Sequence, residues 1–127
     1  MDTNLVLWIL QALLALAFLG AGVGHILSYD RMATQPRSTW VIPVRRDRLR
    51  IIGLLEVLGA ISVVLPGAIG LPPWLVPVGA ALLALLMAFA AVFHLPRSGE
   101  MPNLVLNLVL GVLAMAVAIG RSVIDPF

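Results

Sequence analysis

The chain has 127 residues, of which 61% are hydrophobic and only 11% charged, with a mean hydropathy of +1.09. A soluble domain of that composition would have too little polar surface to meet water, so the chain reads as an integral membrane protein. The formal charge is +2, but the arginines crowd into one connection instead of forming a face with interleaved aromatics, which excludes nucleic acid as a partner, and the lack of cysteine excludes disulfides, thiol nucleophiles and thiolate metal sites.

Four apolar segments are long enough, or nearly so, to cross about 30 Å of hydrocarbon at roughly 1.5 Å per residue. The first is expected over 5–27. It begins Met1-Asp2-Thr3-Asn4 and has no positively charged stretch before it. It is therefore expected to be a retained span with a polar N-cap, not a cleaved signal. The connection over 28–48 follows, and it and its edge carry Arg31, Arg37, Arg45, Arg46, Arg48 and Arg50. Within it, Thr39 to Val44 is apolar enough to rest on a bilayer surface, and the arginines suit either a topology anchor or anionic lipid headgroups.

The second span, 49–65, is the shortest and must stand upright or borrow a turn from its flanks; Pro66-Gly67 is expected to end it. The third, 74–95, starts after Pro72-Pro73, and the fourth, 104–120, is expected to begin near Pro102, where a missing N–H does no harm in a first turn. The fold class is thus all-α, a polytopic four-transmembrane-helix bundle forming one domain over 1–127. Arginine fills the first connection and Arg97 marks the third, whereas 66–73 carries no charge. The positive-inside rule then places the first and third connections in the cytoplasm and both termini outside, with a bacterial cell membrane as the expected location. Trp8 and Trp74 mark the outer interface in this reading, Tyr29 and Trp40 the inner one, and Arg121 serves as an outer anchor.

Few polar side chains interrupt the spans. Glu56 is the most telling, because holding a carboxylate ionised at a helix centre costs on the order of 3 kcal/mol, and such groups usually face the protein interior and find partners. His25 and His94 lie near the inner ends of the first and third spans, Glu56 about two turns into the second, and Asn107 about one turn into the fourth. Helical side chains lean toward their own N-termini, so the histidines lean toward the membrane centre while Glu56 and Asn107 lean toward the inner side. The four are expected to meet at one depth.

Face periodicity agrees. Gln11, Leu14, Phe18, Ala21 and His25 lie within about 40° of one meridian at about 100° per residue. Gly53, Glu56 and Gly59 share a ridge on the second span, Ala80, Ala84, Ala88 and Ala91 precede His94 on the third, and Asn103, Asn107 and Gly111 repeat on the fourth. Small residues beside the polar groups permit close helix packing, and the Gly20/Gly24 pair is expected to pack within the chain. Glu56, His94 and His25 are the candidate catalytic residues, and Asn107, Gln11, Phe18 and Asn103 the candidate ligand-binding ones. A mouth for the ligand is expected between the first and third spans.

Three chemistries fit. Glu56 with a histidine suits proton exchange with a lipophilic molecule, a quinone headgroup or a polyisoprenoid or sterol-like substrate, including isomerase or cyclase chemistry. His25, His94 and Glu56 also compose a two-histidine, one-carboxylate metal set, although no HxxxH pair fixes its geometry and no metal is expected. Alternatively the cluster locks the helices or docks a larger membrane complex or a second copy, with no catalysis. Serine-nucleophile, phosphate-loop and nucleotide signatures are absent.

The order Ala21-Gly22-x-x-His25, Gly53-x-x-Glu56-x-x-Gly59-Ala60, Met87-x-x-Ala90-x-x-x-His94 and Asn103-Leu104 with a closing Gly120-Arg121 resembles the DoxX-like family of small four-helix membrane proteins across nearly the whole chain. Glu56 and His94 match the family pattern, and where this chain has His25 the family often has lysine. The resemblance implies kinship with a subunit of a thiosulfate:quinone oxidoreductase, with members of membrane redox complexes and with receptor-assembly chaperones. A quinone-linked lipophile or an assembly partner is therefore the implied class of ligand.

Overall fold

The computed structural model describes residues 2–127, so Met1 lies outside it. It is helical, with no strand among the described residues. The elements are α1 (Thr3–Leu27), α2 (Tyr29–Thr34), α3 (Val41–Val44), α4 (Arg46–Ser62), α5 (Leu65–Ile69), α6 (Leu75–His94) and α7 (Met101–Ile119), extended by a π-helical turn over Gly120–Ile124. Four stretches are long and apolar enough to cross a membrane: Thr3–Leu27, Arg46–Ile69, Leu75–His94 and Met101–Ile124.

Local chemistry explains the boundaries. Asp2 caps α1, its carboxylate accepting from the Asn4 N–H at 3.1 Å. The second span is longer than the apolar run alone suggested, because its first turn is drawn from the arginine-rich connection and α5 continues the chain past Pro66. Pro66 does not end the helix as expected. It occupies the first turn of α5, where its ring is tolerated, and the α4/α5 break falls just before it, at Val63 and Val64. Pro102 plays the same first-turn role in α7. Arg45, between α3 and α4, holds φ 75° and ψ 152°, a combination that suits glycine and strains any side chain.

The helices form an up-down ring. α1 packs chiefly on α4 and α6 chiefly on α7, while α4 with α6 and α1 with α7 close the circle. α1 and α6 therefore sit across the ring from each other, flanked by α4 and α7. A core of Leu14, Phe18, Val63, Leu83, Met87 and Val117 fills the middle. The outward faces carry Leu16, Leu58, Phe89, Val92 and Val112, as a surface facing lipid requires.

Glycine permits a close backbone approach, at a different pair from the one the GxxxG pattern suggested. Nothing lies within 4 Å of a Cβ added at Gly20 or Gly24, because both face away from the bundle. Gly22 and Gly53 instead mark the α1–α4 crossing: a Cβ on Gly22 would stand 2.7 Å from the Gly53 carbonyl oxygen, and one on Gly53 2.6 Å from that of Gly22.

Candidate functional site

His25 and Glu56 lie one turn beyond Gly22 and Gly53 on their respective helices. Because the helices are antiparallel and each side chain leans toward its own N-terminus, both return to the glycine crossing. His25 Nδ1 lies 2.6 Å from Glu56 Oε2. Where Glu56 is ionised it can only accept, so Nδ1 then carries the hydrogen and Nε2 is left for another partner. Glu56 is 3% exposed and the His25 side chain 14%. Bare α-carbons at the crossing thus make room for a short ion-pair-type bond inside an apolar bundle.

A second histidine–carboxylate pair stands nearby. His94, buried at the end of α6, places Nδ1 2.8 Å from Oε1 of Glu100 in the third connection. Arg97 approaches the other Glu100 oxygen at 3.9 Å and lies 4.1 Å over the Phe93 ring. His94 is therefore held by Glu100, not by Glu56.

Trp40 links the two pairs. Its ring makes edge contacts with His25 at 5.6 Å and with His94 at 5.0 Å between centroids. The connection that carries it folds back on the bundle: Val41 is fully buried, so Thr39 to Val44 does not simply rest on a bilayer surface. Arg46, at the start of α4, pairs with Asp30 and stacks on Tyr29, tying α2 to α4.

The two histidines, Glu56 and Trp40 border one cavity of about 380 Å³, whereas Glu100, Arg97 and Arg46 stand outside its lining. Glu56, His25, His94, Phe18, Asn103 and Asn107 all line it, with Trp40, Met87 and Phe93 among its apolar walls. Neither Asn103 nor Asn107 spends its side-chain amide on a hydrogen bond within the described residues, so both are open to a guest. No three His, Asp or Glu side chains among the described residues converge as a metal site would require, since each histidine faces its own carboxylate.

Gln11 shares the His25 face but not its depth. Fourteen residues separate them in the chain, or about 21 Å of helix at roughly 1.5 Å per residue. Gln11 does not line the cavity. Its Nε2 donates to the Val63 carbonyl at 2.6 Å, and its Oε1 accepts from Arg121 Nε at 2.8 Å. Arg121 is likewise not an exposed anchor: it is 3% exposed, because it follows Ala114, Val117 and Ala118 on the buried stripe of the fourth span.

Sequence reasoning missed Glu100 and the reach of Trp40. The signal for Glu100 was present, since it is the sole acidic residue of the third connection and lies six positions after His94. For Trp40, the lone aromatic within an apolar hexad of an otherwise charged connection was the available clue.

The model of the DoxX-like family matches residues 9–117, nearly the whole chain. The chain belongs to that family and is an integral membrane protein with four candidate spans. No curated protein and no solved structure gives a match.

Proposed function

We propose that this protein binds a lipophilic small molecule with a polar headgroup in the cavity beside Glu56, and that the ligand is linked to quinone chemistry. The observation that carries the reading is the cavity's lining: an apolar enclosure of about 380 Å³ into which the His25–Glu56 pair, the ring of His94 and two unengaged asparagines are gathered. Holding four helices together does not require that expense, because hydrogen bonds between membrane helices contribute only about 1 kcal/mol each. A few placed polar groups in an otherwise apolar recess are the usual form of a small-molecule site.

The chemistry follows from the pairs. An oxygen-bearing headgroup accepts a hydrogen bond from a protonated imidazole Nε2 or from an asparagine amide, while its hydrocarbon part lies against Phe18, Met87 and Trp40. Glu56, bonded to His25 Nδ1, compensates positive charge on that ring, so His25 is able to take up or release a proton at the ligand. The arginine-rich connection lies on the cytoplasmic side in this proposal, and the ligand enters from the inner leaflet, past Trp40.

Lipid extracts of the purified protein test this. A stoichiometric isoprenoid or quinone is expected by mass spectrometry, lost in Glu56→Gln and in His94→Ala while both variants stay monodisperse. No enriched lipophile, together with unchanged capture of a membrane partner by both variants, would instead identify an assembly component.

A further inference from the structure

The opposite end of the bundle holds a charge that the cavity beside Glu56 does not use. Arg121 is buried where the fourth span ends. Its Nη1 donates to Asn4 Oδ1 at 2.8 Å and to the Asp125 carbonyl at 3.0 Å, and its Nε donates to Gln11. All three acceptors are neutral. No carboxylate comes within ion-pair distance of the guanidinium among the described residues, and Nη2 is buried with no partner. A buried cation in an apolar bundle ordinarily finds a counter-charge.

Beside it runs an open groove of about 670 Å³ between the start of α6 and the end of α7. Its walls are almost wholly apolar, including Trp74, Val78, Ala81 and Ile119, and Arg121 is its one charged member. Phe127 belongs to both features: its ring lines the groove and lies 4.0 Å over the guanidinium, and it is braced edge-on against Trp8 at 5.5 Å. The turn that carries Arg121 is π-helical, a widening frequently found at functional positions.

We infer that this groove binds an acidic amphiphile, its hydrocarbon chain along α6 and α7 and its anionic headgroup on Arg121, in the place the Phe127 ring now covers. The headgroup supplies the acceptor that Nη2 lacks and a directly paired negative charge, which Asp125, acting on Arg121 only from beyond ion-pair distance, does not provide. A zwitterionic headgroup brings its own cation to the same spot and satisfies the site less well.

Native mass spectrometry of the detergent-purified chain, titrated with phosphatidylglycerol or phosphatidylcholine of the same acyl composition, is the test. Phosphatidylglycerol is expected to bind about tenfold more tightly, roughly 1.4 kcal/mol by the affinity relation. Arg121→Gln abolishes the preference, Arg121→Lys retains part of it, and Ala81→Trp, which fills the groove without touching the guanidinium, weakens both lipids. Phe127→Ala strengthens phosphatidylglycerol binding by uncovering the charge, an effect a merely structural arginine would not give. Equal binding of the two lipids, or a preference that survives Arg121→Gln, overturns the proposal. Competition by inorganic phosphate as effective as by the lipid also overturns it, because the hydrocarbon groove then contributes nothing. Should Arg121→Gln fail to fold, the Ala81→Trp and Phe127→Ala arms decide.

Discussion

Gly53→Ala is the sharpest perturbation of the site, because two opposing effects of known size meet at one methyl group. In a helix that alanine could enter freely, the change would stabilise by up to about 1 kcal/mol. Here the new Cβ stands 2.6 Å from the Gly22 carbonyl oxygen, 2.8 Å from Ile26 Cγ1 and 3.1 Å from His25 Cβ. Restoring ordinary contact, which begins at 3.4 Å, requires α1 and α4 to part by about 0.8 Å. The His25–Glu56 bond, 2.6 Å in the native protein, would lengthen to about 3.4 Å if nothing else moved, beyond the usual range for such a bond. Loss of a hydrogen bond to a charged group costs about 1.5–3 kcal/mol, and overpacking adds about 1–3 kcal/mol.

The clash therefore wins, and Gly53→Ala is expected to destabilise by at least about 1.5 kcal/mol after the propensity gain is counted. Gly20→Ala, with nothing within 4 Å of its Cβ, is the control and should be neutral or slightly stabilising. Reversible unfolding in mixed micelles gives the energies, and the Nδ1 resonance of nitrogen-15-labelled His25 reports the bond. A Gly53→Ala protein as stable as Gly20→Ala, with the His25 resonance unmoved, would refute the argument that the glycine crossing sets the His25–Glu56 geometry.

Two further outcomes are expected. Single cysteines at the exposed positions Gln35 and Ala68 should differ toward an impermeant thiol reagent on intact cells, Gln35→Cys protected and Ala68→Cys labelled; the reverse pattern would invert the proposed orientation while leaving the cavity intact. Arg45→Gly, at φ 75° and ψ 152°, should raise stability by about 1 kcal/mol through relief of backbone strain, and a thermal midpoint that falls would show that the Arg45 side chain matters more than its backbone.

Much of the architecture is legible in the residues because hydrocarbon imposes a simple rule. A span must be apolar and helical, and prolines are tolerated in first turns, so Pro102 correctly marked the start of α7. The meeting of His25 and Glu56 was readable too, since helix direction and side-chain lean depend on chain order alone. What escaped sequence reasoning depends on which helices are neighbours. Periodicity says that Gly20, Gly22 and Gly24 are small, but only the α1–α4 pairing selects Gly22 as the contact. The same limit hid Glu100, whose approach to His94 comes from the fold of a connection, and Arg121, whose face was legible but whose partners Gln11 and Asn4 lie more than a hundred residues away.

The two polar regions share a logic. Each sits near an end of the bundle, and each is built around a charge that lipid alone would not tolerate: Glu56 with His25 at one end, Arg121 with Gln11 and Asn4 at the other. Between them the buried side chains are apolar, with Leu14, Leu83 and Val117 at or near zero exposure. Among the described residues this apolar layer separates the two polar regions. Under the two proposals, each region is a recess in which an amphiphile keeps its hydrocarbon in the bilayer while its headgroup meets a fixed protein charge. Under the proposed function the close glycine crossing has a role beyond packing: by holding α1 against α4 it would set the histidine–carboxylate geometry before a ligand arrives.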